Sequence, residues 1–489
     1  MTTSPAEYVR QPLPTSELHD IPDTAPTPDV LGDLLAFDRR FQDRVLRYFA
    51  ALKLSWERQH AGRTFPGLCA EVDSVTGAMR PLAEQRVWSW GDCRALGIWA
   101  YFLQKGVVPA GRSEIELFDG SRCEVDLVAF YQDYCDLLHR SIRERYDACG
   151  GKLPFLADIA SNRASDDPRN IRVRPEEYEA SHVFLITALF QYAMLRGDDG
   201  ALALGRQVFD ETVRAGLDFR FVNHLTKRRE PYEGHGSIMV TVGAVVDVLK
   251  SVELAEARGD RRWSGLIGEL TSRMLPGIDY ILDKHYDPRT GALWERNRDG
   301  QAYRDEHGRI IADPGHAAEL CGFLAEFTRF LPDGAGGRWR RDAMLRAAQD
   351  ILRWVDRVGY SPLGLLYKNV DVVSGGGCAD TVRNGVGFLT APWWNVRELA
   401  SASARLLAAT GDQAFWAIHR RAFHAGYRHY PNARIGGCFL QTLDAESGEP
   451  LPFHPATGNL DPMHDGRARE REIEALSELS AASAPRKNP

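Results

Sequence analysis

The chain has 489 residues, 44% of them hydrophobic and 26% charged, the composition of a folded globular protein. Its 60 basic against 67 acidic residues give a formal net charge of -7, without the basic face that nucleic acid or an anionic membrane surface would require. No apolar run approaches the roughly 18–20 residues of a membrane-spanning helix, so a sequence of this kind points to a cytoplasmic enzyme or binding protein.

Residues 1–30, rich in Pro, Thr and Asp, predict a flexible arm, and no apolar segment behind a basic start marks a secretory signal. Beyond the arm the apolar spacing is mainly helical and falls into a recurring unit. Residues 184–194 form an almost continuously apolar helix, ended by Arg196-Gly197-Asp198 and followed by an amphipathic run over 201–213. Residues 240–254, Gly259-Asp260 and 263–274 repeat the pattern. So do 316–330 with Pro332-Asp333-Gly334, and 393–408 with Gly411-Asp412 and 414–423. In each unit Gly is expected to supply the left-handed residue that ends the first helix, and Asp to cap the second. A helical hairpin cannot bury its apolar face alone, so the units must pack side by side. First helices apolar all round and second helices amphipathic predict two concentric helical layers, as a single domain over 31–478 with a tail over 479–489.

The longest connections, HYDPRTGALWERNRDGQAYRDEHGRIIADPG and HYPNARIGGCFLQTLDAESGEPLPFHPATGNLDPMH, are aromatic and polar. GALWERN and GCFLQTLD within them predict short strands on the rim of such a ring, where function is expected. Pro314 and Gly315 put His316 in the first turn of an inner helix, with Glu319 three residues on and on the same face. A carboxylate so placed can orient or charge an imidazole that titrates near neutrality, although H-x-x-E by itself equally describes a packing histidine. His182, His235 and His285 stand near other helix or loop ends, and Arg228-Arg229 beside Tyr232 makes a small basic group. Gly375-Gly376-Gly377 lacks the Lys-Ser/Thr of a phosphate cradle and there is no G-x-G-x-x-G, so no cofactor is expected. The cysteines at 69, 93, 123, 135, 149, 321, 378 and 438 are scattered without a C-x-x-C pair and read as reduced thiols, not as disulfides or a metal site.

Five segments follow one another between about residues 64 and 470: WSWGDCRALGIW, SIMVTVGAVVDVL, YDPRTGALWERNRDG…GRIIADPGHAAE, PWWNVRELASASARLLAATGDQAFW and GGCFLQTLD…GNLDPMHDGR. In this order they resemble the N-acylglucosamine 2-epimerase family, which also holds cellobiose 2-epimerases and mannose-type isomerases. The resemblance implies an all-α (α/α)6 barrel and a sugar 2-epimerase acting through an enediolate, without cofactor or metal, and it allows a homodimer. It makes His316 and His464 the two acid/base groups, Arg94 the group that stabilises the enediolate oxygen, and Glu319 the residue that orients His316. Trp88, Trp393, Trp394, Glu398 and Arg467 match positions that hold the sugar, and His235 is added from the rim.

Three departures from the family pattern stand out. Leu460-Asp461-Pro462-Met463 replaces a Lys-Gly-Pro-aromatic stretch before His464. Gly322 stands where a tryptophan is common, which predicts a wider cavity and a bulkier substrate. Val240 stands where the cellobiose branch has a histidine, which argues against a disaccharide. The rival readings are an aldose–ketose isomerase on the same fold, a glycoside hydrolase or lyase using carboxylates such as Glu295, Asp380 and Glu398, and a non-catalytic sugar-binding protein.

Overall fold

The computed structural model describes residues 25–171, 173–222, 229–230, 232–435, 438–458 and 460–483. Most of the expected arm, Arg228 and residues 484–489 of the expected tail lie outside the described residues.

Twelve α-helices are present among the described residues. They are α1 (Pro28–Gln59), α2 (Ser89–Lys105), α3 (Leu127–Ala148), α4 (Ser181–Arg196), α5 (Asp199–Leu217) and α6 (Gly236–Ala257), then α7 (Gly265–Lys284), α8 (Pro314–Phe327), α9 (Ala335–Val358), α10 (Trp393–Thr410), α11 (Ala414–His429) and α12 (Arg469–Ser483). Each even-numbered helix packs on the next even one from α2 to α12, and each leans on one odd-numbered helix, with α1 backing α12. Tyr101 of α2 donates to Glu474 of α12 at 2.7 Å, and Lys105 lies 2.5 Å from Glu470, which joins the last inner helix to the first. The result is a ring of six inner–outer helix pairs in two layers, five of them sequential hairpins and the sixth formed by α12 and α1, an (α/α)6 barrel.

The hairpin turns show why the recurring unit folds as it does. Gly197, Gly259 and Gly411 adopt φ of +67°, +85° and +72°, the left-handed region that costs glycine least. The Asp198 carboxylate then caps α5 by accepting from the Ala201 N–H at 2.9 Å. Gly334 departs from the expectation. Its φ is -97°, because α8 ends in a 3₁₀ turn over Thr328–Phe330 and an extended Leu331, and Gly334 serves as the N-cap of α9. Helix α7 also runs ten residues past its expected end, straight through Pro276, because burial of Met274, Ile278 and Ile281 offsets the lost backbone bond. Gly243 is a packing requirement: a Cβ there would stand 2.4 Å from the Phe323 ring, where α6 meets α8.

Helix α12 was not legible as an inner helix. Its sequence REREIEALSELS is that of a solvated surface, yet residues 469–472 are all buried. Arg469 donates to Asp38 of α1 at 2.9 Å, and Arg471 to Asp247 of α6 at 2.5 Å. Glu472 accepts from Arg397 of α10 and lies on His419 of α11, both at 2.6 Å. Buried charges are tolerated only when paired, and here every pair belongs to a different helix.

Short strands cap the ring. Arg296–Arg298, within the first long connection, pairs with Glu233–Gly234 and Gln301–Ala302, and Thr442–Asp444 pairs with Thr390–Pro392. No helix among the described residues is long and apolar enough to cross a membrane, and the eight cysteines are unpaired.

Candidate functional site

The inner helices run parallel, so their first turns open at one end of the ring, and most of the residues singled out in the sequence gather there. Asp313 caps α8, accepting from the backbone N–H of Gly315 at 2.9 Å and of His316 at 3.2 Å. That fixes the His316 ring with Nδ1 3.1 Å from Glu295 Oε2 and 3.3 Å from Asp313 Oδ2. Carboxylates only accept, so Nδ1 carries the proton and Nε2 is left for a ligand. The other oxygen of Glu295 lies 3.2 Å from Nε2 of His235, the N-cap of α6, and Lys368 closes the group by pairing with Asp313.

A second imidazole faces the first across Trp394. The ring centroids of His316 and Trp394 are 5.4 Å apart, and those of Trp394 and His464 are 5.2 Å apart and nearly parallel. His464 sits in a π-helical turn, His464–Ala468, just before α12. Such a turn widens the helix and is often found at functional sites. Here it lets His464 Nδ1, at 2.8 Å, and Arg467 Nη2, at 2.9 Å, share one oxygen of Glu398. Arg467 also donates to Glu319. Arg94, held between the rings of Trp90 and Phe184 at 4.3 and 4.0 Å, pairs with Asp461, whose Oδ2 is 3.9 Å from His464 Nε2. Lys368 lies over the Trp394 ring at 4.5 Å. Gly315 makes the close approach of α8 to α10 possible, since a Cβ there would sit 2.6 Å from the Trp394 ring.

Charge follows geometry. Burial alone would push the His316 pKa down, but Asp313 and Glu295 outweigh it and Lys368, and hold the pKa above the ordinary 6.5. Glu295, despite burial, is held well below the carboxylate range by His316 and His235. Glu398 falls to about 2 because Arg467 and His464 outweigh its burial. Arg94 is lowered chiefly by burial, against the carboxylate of Asp461, which is itself held low by Arg94 and His464 despite burial.

Several expectations change. The carboxylates that orient His316 are Glu295 and Asp313. Glu319, although on the same helix, turns to Arg467, because a buried arginine needs the charge more than a half-exposed imidazole does. Glu398 and Arg467 lie beneath His464 and support it, so neither is placed to hold a sugar. His235 is fully buried behind Glu295. Trp393 is buried on Phe439 with its indole N–H on Gln441, and Trp88 lies half-buried with its N–H on Glu71; of the two tryptophans in tandem, Trp394 is the one facing the mouth. Gly322 opens no space: a Cβ there would meet Ala402 of α10 at 3.5 Å, so the residue is a helix contact rather than a cavity wall. Below the mouth lies a void of about 20 Å³, room for one water, lined by Arg94, Arg467 and Arg471 among others. His182 accepts from the buried Leu153 N–H, and His285 donates from Nδ1 to the Trp294 carbonyl at 2.9 Å with Nε2 3.4 Å from the Tyr280 hydroxyl.

The sequence offered signals for some of what was missed. Asp313 directly precedes Pro-Gly-His in the position of a helix cap, Asp461 is one of the family departures, and Glu295 lies in GALWERN and is one of the rival carboxylates; Lys368 comes from a loop and carries no local pattern. Glu295, Asp313 and His316, and likewise Glu319, Glu398 and His464, are close enough to share an ion. Each group already holds a cation, Lys368 in the first and Arg467 in the second, so neither donor set fits a metal. The hydrolase carboxylates are also engaged: Asp380 accepts from the hydroxyls of Thr381 and Thr390, and Glu295 and Glu398 serve the two histidines.

The model of the N-acylglucosamine 2-epimerase (GlcNAc 2-epimerase) family matches residues 165–457, a span that takes in His316, Glu319, Trp394 and Glu398. The structure is similar to a cellobiose 2-epimerase from Bacillus thermoamylovorans B4167, with a TM-score of 0.61 at 16% identity over 90% of this chain and 99% of that one. A cellobiose 2-epimerase from Spirochaeta thermophila DSM 6192 gives 0.62 at 14% identity over 92% and 99%, and a D-mannose isomerase 0.61 at 13% over 91% and 98%. At these identities the likeness is one of fold. No curated protein matches the chain in sequence.

Proposed function

Because the chain belongs to the N-acylglucosamine 2-epimerase family and is a sugar epimerase, we propose that it inverts the carbon beside the carbonyl of a reducing sugar by passing protons through His316 and His464. The observation that carries this reading is the pair of imidazoles flanking Trp394, each with Nδ1 on a carboxylate, which leaves Nε2 for the substrate. Removing a proton from one face of a carbon and returning it on the other needs two acid/base groups on opposite sides of the substrate.

The two histidines differ in what surrounds them. Glu295 has no lysine or arginine partner among the described residues, so an imidazolium at His316 is what neutralises it. Glu398 already has Arg467 on the same oxygen it offers to His464. In one direction of the reaction, therefore, His464 starts as the neutral base and His316 as the acid, and the roles exchange in the other. The enediolate between them carries its negative charge at a mouth ringed by the N-termini of inner helices, with Lys368 beside it. Arg94 contributes less than its family match implies while Asp461 holds it.

Incubating enzyme with sugar in D2O tests the reading. Deuterium is expected at C2 of the epimerised product, seen by proton NMR. An epimer free of label, or a ketose labelled at C1, overturns it; the ketose would make the protein an aldose–ketose isomerase.

The raised His316 pKa gives a second test. In the pH profile of kcat/KM the alkaline limb, where the acid loses its proton, lies above pH 6.5. Glu295→Gln removes a charge that favours the imidazolium, so that limb moves to lower pH. A limb that stays in place excludes Glu295 as the partner that matters. The same reading carries a cytoplasmic location, for which the unpaired cysteines are support, and allows a homodimer, for which sizing in solution is the check.

A further inference from the structure

Asp461 stands at a position the proposed reaction leaves unassigned. Its Oδ2 lies 3.9 Å from His464 Nε2, the ring nitrogen that Glu398 does not engage and that would meet the reacting carbon. Whatever His464 deprotonates must therefore have its substituents against this carboxylate. The same oxygen pairs with Arg94, so the arginine nearest His464's free nitrogen is neutralised before any ligand arrives. The other cations at the mouth are matched too, Lys368 by Asp313 and Arg467 by Glu319 and Glu398. Glu295 is left to the His316 imidazolium, and with His464 the neutral base the constellation has five carboxylates to four cations, a formal charge of -1. A carboxylate at the reacting carbon accepts from an N–H or O–H and gains most from an ammonium group, while it repels a phosphate or a second carboxylate.

We propose that Asp461 determines the substrate class of this site: a 2-amino sugar whose amine is free and protonated, seated with its ammonium group on Asp461 beside the carbon that His464 deprotonates. This rests on the proton-transfer reading above. It needs no further group, since the ammonium substituent keeps all its bonds while the C2 proton leaves and returns.

Binding and exchange are measured separately on the full chain, with D-glucosamine, N-acetyl-D-glucosamine and D-glucose, at a pH where the glucosamine amine is protonated. Titration calorimetry is expected to show glucosamine bound tighter than the other two by roughly ten- to hundredfold, the size of a hydrogen bond to a charged group. Asp461→Asn should abolish that preference, and Asp461→Glu, which keeps the charge, should retain it. In D2O, C2 exchange should follow the same order. Exchange into the neutral sugars without preference for the amine overturns the role of Asp461 and leaves the proton-transfer reading standing. An amine preference lost in Asp461→Asn, with no exchange into any sugar, supports the role of Asp461 and sinks the proton-transfer reading. An Asp461→Asn enzyme that binds all three sugars tighter by the same factor shows that Asp461 merely competes for Arg94, and also overturns the proposal.

Discussion

His316→Asn should lower turnover by roughly 10²–10⁴-fold and leave the fold in place. The size is that of general acid/base catalysis, roughly 3–5 kcal/mol of barrier. The side chain is 27% exposed, and the backbone cap from Asp313 to the His316 N–H does not depend on the ring, so asparagine keeps the helix start. The loss should fall on kcat more than on KM, because Trp394 and Lys368 remain to receive the sugar. The check is a pair of measurements, steady-state kinetics and thermal unfolding. Turnover within a few-fold of the parent, in protein that melts normally, would falsify the assignment of His316.

Arg467→Met should cost about 3–5 kcal/mol of stability, the usual result of breaking a buried charge network by removing one member. Arg467 is 3% exposed and donates to Glu319 and Glu398, two carboxylates from different helices that lie as deep as it does. Without it Glu319 has no ion-pair partner within 4 Å among the described residues, and Arg94, the other nearby cation, is already paired with Asp461. Glu398 keeps only His464 as an ion-pair partner, so the group that positions that imidazole loses its anchor as well. The variant should therefore lose activity as well as stability. Adding Glu319→Leu to Arg467→Met should recover part of the stability, since an apolar side chain removes the stranded charge, but none of the activity. A urea midpoint for Arg467→Met equal to the parent's would show that the network is not what holds the mouth together.

The residues differ in how far their sequence revealed them. The hairpins from α4 to α11 were visible because apolar runs and Gly-Asp turns are local signals, and the positive φ of Gly197, Gly259 and Gly411 matches them. Of the aspartates expected to cap the second helices, however, only Asp198 is an N-cap, with Ser264, Gly334 and Gln413 in that position in α7, α9 and α11. Helix α12 was hidden because its charges look solvated, and their partners, such as Asp38, Asp247 and Arg397, are remote in the chain. His316 and His464 were found by family order, and the structure sets them on either side of Trp394. Their carboxylates were only half found. Helical spacing put Glu319 beneath His316, but spacing says nothing of Arg467, which reaches Glu319 from 148 residues away. Glu295 and Lys368 sit on connections whose course no periodicity determines.

The pairing of α12 also bears on the order in which the molecule is made. Arg469 meets its partner Asp38 across 431 residues, and His464 and Arg467 stand only a turn earlier in the chain. During synthesis five helical hairpins can form as local units, because each contact between them is short in sequence. Without α12 the ring lacks its sixth inner helix, and Asp38, Lys105, Asp247 and Arg397 lack their partners among residues 469–472. Closing the ring and completing the His464 side of the mouth are then one event. A nascent chain stopped before residue 464 would lack the His464 that the proposed proton transfer uses, so truncation there is expected to abolish C2 exchange.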